Sequence, residues 1–241
     1  MDKPRYVIIL AGGSGRRMGG KIAKQFLELE NKPILLRTIE LFRSLPFETE
    51  ILLVLPTEYK AYWKRYCLEH DLWFRHTIVT GGITRFHSVR NALEHVPDGA
   101  VAAVHDGVRP FVPAALLERL LGSGEGKPAW GEDAAGIIPV MPAVESMREI
   151  RRGDDGRIRE TVPVDRDRYL FVQTPQVFDS TRLKEAYRQA YVPEFTDDAS
   201  VVESCGYKVA TCEGSRFNIK ITTPEDLDMA RFILSLDKDK D

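Results

Sequence analysis

Three cysteines in 241 residues, Cys67, Cys205 and Cys212, are too few for a disulfide framework, and their spacing contains no C-x-x-C signature of a zinc or redox site. They read as core or edge thiols of a reducing compartment. Excess positive charge is missing as well. Lys and Arg total 34 against 36 Asp and Glu, a net charge of −2, which argues against a non-specific nucleic-acid binder. No apolar run approaches the ~20 residues of a membrane span. Tyr6–Ala11 is too short for the apolar region of a signal peptide. A cytoplasmic protein with neither membrane nor nucleic acid as partner is expected. Internal repeats and low-complexity segments are lacking too. What remains is an ordinary globular composition, 43% apolar and 29% charged. The length suits a single domain over residues 1–241 that buries enough surface to need no staples.

Short β-branched runs alternate with longer periodic segments. Tyr6–Ala11, Glu50–Leu55, His76–Val79 and Val101–His105 read as strands, and Ile34–Phe42, Glu58–Leu68, Thr84–His95 and Pro113–Leu121 as helices between or after them. This alternation predicts an α/β fold with a mostly parallel central sheet and helices on both faces. Residues 140–168 break the rhythm with Pro142, Pro163 and the turn Gly153-Asp154-Asp155-Gly156, and read as an extended hairpin arm. Regular structure is expected to resume at Tyr169–Val172. A helix from Ser180, a helix over Asp197–Cys205 and a strand at Lys208–Thr211 follow. A last helix starts near Pro224, with Thr223 as N-cap.

The strongest chemical signal is Leu10–Gln25, L-A-G-G-S-G-R-R-M-G-G-K-I-A-K-Q, directly after the first strand. Gly12, Gly13 and Gly15 allow a tight turn and close approach of backbone to a ligand. Successive N–H groups in such a turn wrap phosphate oxygens. Arg16, Arg17, Lys21 and Lys24 supply counter-charge suited to a triphosphate, more cations than a merely structural turn needs. Two familiar motifs nearly match and fail. Gly15-x-x-x-x-Gly20-Lys21 begins like a P-loop, but Ile22 stands where Ser or Thr must hold magnesium. Gly13-x-Gly15 begins like a dinucleotide fingerprint, but Met18 replaces the third small residue.

Further polar clusters fall where strands end: Gly81-Gly82 with Arg85 and Ser88, His105-Asp106-Gly107-Val108-Arg109-Pro110, Thr174-Pro175-Gln176, Asp197-Asp198, and Asn218-Ile219-Lys220. Ligands of open α/β sheets sit at the carboxyl ends of strands, so these clusters are expected to converge on one cleft.

Taken together, A-G-G-S-G-R-R-M-G…K-Q, G-G…R…S-V, H-D-G-V-R-P, V-D-R…T-P-Q, T-D-D-A-S and N-I-K-I-T-T-P-E-D-L resemble the IspD-type cytidylyltransferases of the non-mevalonate isoprenoid pathway, from Val7 to about Leu234. The resemblance implies a Rossmann-like three-layer sandwich with a projecting β-arm that builds a homodimer. It implies attack by the phosphate of methylerythritol phosphate on the α-phosphorus of CTP, with Mg2+ on the triphosphate and no covalent enzyme intermediate. By motif, Arg17 and Lys24 correspond to residues that stabilise the transition state, and Arg166, acting across the dimer, and Lys220 to those that hold the attacking phosphate. Leu10, Ala11, Gly12, Gly13, Gly15, Gly82 and Ser88 correspond to nucleotide-binding positions. Asp106, Arg109 and Thr174 correspond to contacts with the polyol phosphate. Asp106 and Asp197 are the candidate metal ligands, the ion being held mainly by CTP.

Departures from the family pattern bear on the substrate more than on the reaction. Ala11-Gly12-Gly13 replaces a common Ala-Ala-Gly, and His-Asp-Gly-Val-Arg-Pro a usual His-Asp-Ala-Ala-Arg-Pro. Glu145-Ser146 replaces an Asp-Thr pair, and Ile83 a common acidic residue. A related enzyme, D-ribitol-5-phosphate cytidylyltransferase, shares the L-A-G-G and K-Q-F-L-E-L segments. The runs Asp197–Ser200 and Asn218–Leu227 fit the methylerythritol family better.

Overall fold

In the computed structural model the described residues are 3–13, 23–122, 129–131 and 133–238. Alternate residues of β1 (Arg5–Leu10) face opposite sides of a sheet: Val7 and Ile9 join one buried cluster and Ile8 another. A strand covered on both faces requires this period of two with apolar residues at every step. β4 (Val101–Asp106) repeats the pattern, with Val101 and Ala103 on one side and Ala102 and Val104 on the other. β1 lies between β4 and β2 (Glu50–Leu55), parallel to both, and β3 (Thr77–Thr80) extends the parallel part beyond β2.

Beyond β4 the sheet becomes mixed. β9 (Gln176–Asp179) is antiparallel to β4 and to β5 (Ala134–Pro142), and β10 (Lys208–Glu213) runs parallel to β5 at the edge. The order is β10-β5-β9-β4-β1-β2-β3, with β8 (Leu170–Val172) attached antiparallel to β5.

Helices α1 (Ile34–Arg43), α2 (Thr57–Glu69) and α4 (Ala114–Leu121) cover one face through Ile39, Phe42, Trp63 and Leu117. Helices α3 (Arg85–Leu93), α5 (Ser180–Ala186) and α6 (Asp198–Glu203) cover the other through Phe86, Val89, Leu183 and Val202. Each such side chain contributes about 1.5–3 kcal/mol on burial. The result is the expected Rossmann-like α/β sandwich. α7 (Pro224–Lys238) closes a third small cluster, Ala230 packing with Leu29, Ile34, Val108 and Ile221. The expected cap is present. Asp226 N–H donates to Thr223 Oγ1 at 3.4 Å while the Asp226 carboxylate accepts from Thr222 and Thr223 N–H at 2.8 and 2.9 Å.

Two sequence readings need correction. β5 was not legible, because Ala134-Ala135-Gly136 and two prolines give it little strand propensity. Its last residues, Val140–Pro142, pair with β8, so they belong to the main sheet and the arm expected over 140–168 leaves it only after Pro142. Tyr169–Val172 does not resume βαβ alternation; Leu170–Val172 is the antiparallel strand β8. The arm itself is a separate hairpin of β6 (Arg148–Arg152) and β7 (Ile158–Pro163), exposed along almost its whole length. Ile150, Ile158 and Val162 are among its exposed residues. Among the described residues, no helix is long and apolar enough to cross a membrane.

Candidate active site

A cavity of about 660 Å³ opens at the carboxyl ends of the parallel strands. Leu10 and Asp106 end β1 and β4, Val54 lies near the end of β2, Gly81 and Gly82 follow β3, and all five line it together with Ala11–Gly13, Lys24, Gln25, Arg85, Ser88 and Lys220. Strand ends are where an open α/β sheet leaves unfilled space between diverging loops. All five polar clusters therefore line this cavity or contact a residue that does, Thr174 through Asp106 and Asp198 through Arg85.

The cradle for a ligand is made of backbone. Ala11 N–H donates to Val54 O at 3.0 Å and Gly81 N–H to Leu55 O at 2.9 Å, which pins both turns to the sheet. Gln25, almost fully buried, donates Nε2–H to Ala11 O at 2.8 Å and fixes that turn from below. Gly82 N–H donates to Ser88 Oγ at 3.0 Å, and the Ser88 hydroxyl donates to Thr84 O at 3.0 Å. Ser88 thus shapes the Gly82 turn from the first turn of α3. A Cβ on residue 82 would lie 2.4 Å from His87 Cβ, so only glycine fits there. Gly107 has more room but is still closely packed, because an added Cβ would meet Leu10 O at 3.0 Å.

The charged groups are paired across the cavity wall. Lys220 Nζ lies 3.0 Å from Asp106 Oδ2, and Arg109 Nε lies 3.2 Å from the same oxygen. Burial alone would raise the Asp106 carboxyl, but Lys220, Arg85 and Arg109 together hold it well below the usual carboxylate range. Arg85 places both terminal nitrogens on the fully buried Asp198 carboxylate, at 2.8 and 2.6 Å. Tyr187 donates its hydroxyl to the same carboxylate at 2.6 Å. Burial would lower the Arg85 pKa, and Asp198 raises it further than burial lowers it. Lys24 Nζ donates to Ile221 O at 3.3 Å, which ties the glycine-rich segment to the loop between β10 and α7 that carries Lys220.

Directly behind the cavity, Arg109 donates Nη1–H to Asn218 O at 2.8 Å, and Thr174 accepts Asp106 N–H at 3.1 Å. Arg109 and Thr174 are therefore wall supports in this arrangement; neither lines the cavity. His105 is fully buried beneath them, and burial pushes its pKa down to about 4.

The remaining sequence candidates are placed as follows. Gly15 and Arg17, with Arg16 and Lys21, lie outside the described residues. Asp197 is the N-cap of α6 and spends both oxygens within the protein, accepting from Ser200 N–H at 2.9 Å and Gln176 Nε2–H at 2.8 Å. Arg166 stands at the base of the arm, exposed, with Nη1 donating to Val144 O, and does not line this chain's cavity. Sequence reasoning gave no role to Gln25, and it assigned Arg85 and Asn218 to clusters without roles. The K-Q pair and the buried Asn between polar neighbours were the available signals.

Residues 6–236 match the family described as 2-C-methyl-D-erythritol 4-phosphate cytidylyltransferase, IspD. The enzyme of that name from Phocaeicola vulgatus is 47% identical over 230 residues, which is 95% of this chain and 99% of the relative. Its namesake from Porphyromonas gingivalis is 46% identical over 98% of this chain and all of the relative. Among solved structures, 2-C-methyl-D-erythritol 4-phosphate cytidylyltransferase of Francisella tularensis superposes with a TM-score of 0.74 at 28% identity, covering 95% of this chain and 99% of that one. The Thermus thermophilus enzyme gives a TM-score of 0.70 at 28% identity, covering 97% and 98%.

Proposed function

This chain belongs to the IspD family of 2-C-methyl-D-erythritol 4-phosphate cytidylyltransferases, and from that premise we propose how its residues carry the reaction. It is a nucleotidyltransferase that moves the cytidylyl group of CTP to 2-C-methyl-D-erythritol 4-phosphate and releases pyrophosphate. A phosphate oxygen of the polyol substrate attacks the α-phosphorus, a new P–O bond forms, and the bond to the β-phosphate bridging oxygen breaks. No group of the protein bonds covalently to the substrate, so its work is positioning and charge stabilisation. The single observation that carries the assignment of roles is the gathering of Ala11–Gly13, Lys24, Gly82, Asp106 and Lys220 around one cavity.

In this reading the backbone at Leu10–Gly13 and Gly82, with Ser88 behind it, reads the cytosine. Amide and carbonyl groups in so tight a turn match a pyrimidine edge and leave no room for a purine. Gly15 belongs by motif to the same nucleotide-binding run. Lys24 and Arg17 neutralise charge that grows on the pentacoordinate phosphorus. Each is worth about 3–4 kcal/mol of transition-state stabilisation, on the scale of an oxyanion donor. Lys220, braced by Asp106, holds the attacking phosphate, and Asp106, backed by Arg109 and Thr174, presents the wall against which the polyol sits.

A resident metal does not fit the donor set. Among the described residues no three His, Cys, Asp or Glu side chains form a ligand group. Asp106 is already matched by two cations, and both Asp197 oxygens accept hydrogen bonds. Magnesium therefore enters with the triphosphate, as part of the substrate.

The homodimer is supported by exposed apolar residues on the arm, Ile150, Ile158 and Val162, and by exposed Leu170 and Phe171 of β8. A second copy covering them would bring its own Arg166 to this cavity. The three free thiols support a cytoplasmic setting.

Pyrophosphate release across a panel of triphosphates and polyol phosphates tests the whole reading. CTP with 2-C-methyl-D-erythritol 4-phosphate should be the best pair. Faster turnover of D-ribitol 5-phosphate, or comparable rates with ATP, would refute it.

A further inference from the structure

His105 takes no part in the chemistry above, yet it is fully buried at the end of β4, beneath Asp106. A buried imidazole is costly unless both nitrogens have partners, and both do. Nε2 lies 3.1 Å from Arg109 O. A carbonyl only accepts, so Nε2 carries the proton. Nδ1 lies 3.0 Å from Thr174 Oγ1. That oxygen already accepts Asp106 N–H at 3.1 Å. The Thr174 hydroxyl proton is therefore the one that fills the gap to Nδ1. A doubly protonated ring would leave this hydroxyl with two incoming donors on this side and no acceptor for its own proton.

The directions of the chain follow: Asp106 N–H to Thr174, Thr174 to His105, His105 to Arg109 O. It closes on itself through Asn218, whose Nδ2 donates to Thr174 O at 2.9 Å and whose carbonyl accepts from Arg109 at 2.8 Å. Both ends of the Asp106–Arg109 turn, and the loop from β10 to α7 that carries Asn218 and Lys220, hang on this one ring.

We infer that His105 is a positioning residue: held as the Nε2–H imidazole, it locks the Asp106–Arg109 turn to Thr174, so that the Asp106 carboxylate is presented at the cavity wall beside Lys220. The inference rests on the cytidylyl-transfer reading, and the two fail differently. A wild-type protein inactive with 2-C-methyl-D-erythritol 4-phosphate defeats that reading. An active wild type whose relay variants keep normal constants defeats only this one.

The test combines kinetics with spectroscopy. Thr174→Val keeps the volume and removes the hydroxyl; Thr174→Ser keeps the hydroxyl. Thr174→Val should raise KM for the polyol phosphate about tenfold, the effect of one hydrogen bond lost from a turn, while KM for CTP stays within about twofold. Thr174→Ser should restore the wild-type value. His105→Phe should reproduce the defect, and the double variant should be no worse than either single one. Direct contact of the Thr174 hydroxyl with substrate predicts instead a normal His105→Phe enzyme or additive losses, and either outcome overturns the relay. Imidazole 15N spectra of the wild-type protein should show a neutral ring protonated at Nε2. A ring protonated at Nδ1, or at both nitrogens, overturns the inference without any variant having to fold.

Discussion

Replacing Asp106 with asparagine removes one negative charge and almost no volume, which makes it a sharp test of the charge pairing at the cavity wall. Asp106 Oδ2 lies 3.0 Å from Lys220 Nζ and 3.2 Å from Arg109 Nε. The Asp106 and Arg109 side chains are each 12% exposed and Lys220 is 43% exposed. Breaking a buried pair by removing one partner costs about 3–5 kcal/mol, because the other charge is left uncompensated. Arg109 bears that cost, whereas Lys220 is exposed enough to turn toward water and largely escape it. The expected loss is therefore about 2–3 kcal/mol, or roughly 5–10 °C in Tm for a domain of this size. Thermal unfolding followed by circular dichroism at pH 7 measures it. The carboxyl is held below its ordinary range, so its contribution is present at all pH values above about 4 and is lost as pH falls through the lower folded value. The gap between wild type and Asp106→Asn should accordingly be flat from about pH 6 to 9 and shrink below about pH 4. Adding Lys220→Met to Asp106→Asn should not recover activity, because the phosphate-holding cation is gone. Equal Tm values at pH 7, or a gap that persists unchanged to about pH 3, would refute the pairing argument.

Lys24→Ala should lower kcat by about 10²–10³ while binding of CTP weakens far less, since the need for charge peaks in the transition state; a raised KM with normal kcat in steady-state assays would contradict that role. Gly82→Ala forces a Cβ to within 2.4 Å of His87 Cβ, so kcat/KM for CTP should fall by up to about 10²-fold. KM for the polyol phosphate should hold steady, and an unaffected CTP dependence would remove the Gly82 turn from the nucleotide site. Arg166→Ala should weaken use of the polyol phosphate, and mixing that variant with Lys24→Ala should restore part of the activity through mixed dimers; if mixtures show no more activity than either parent, the arm arginine serves its own chain.

Much of the molecule could be read from the chain alone. Val7–Ile9 and Val101–Val104 are apolar at every step, and only a strand covered on both faces uses such a run, so the central strands and the sandwich followed directly. The glycines and cations of Leu10–Lys24 announced phosphate chemistry because few other ligands require that combination. Motif order along the chain was enough to separate the transferase family from its near matches. β5 stayed hidden because Ala134-Ala135-Gly136 owes its strand to packing and not to propensity.

The division of labour among polar residues was beyond the sequence for a related reason. Arg85 and Asp198 are 113 positions apart, and His105 and Thr174 are 69. Nothing local tells a buried carboxylate which cation it will meet, or a hydroxyl whether it faces substrate or supports a turn. Composition and local spacing determined the kind of strand, the kind of loop and the chemistry on offer. Only the folding of β4, β9 and the loop that carries Lys220 onto one another decided which groups line the cavity and which brace it. A hydrogen bond acts over about 3 Å, and that proximity exists only once distant parts of the chain have been brought together.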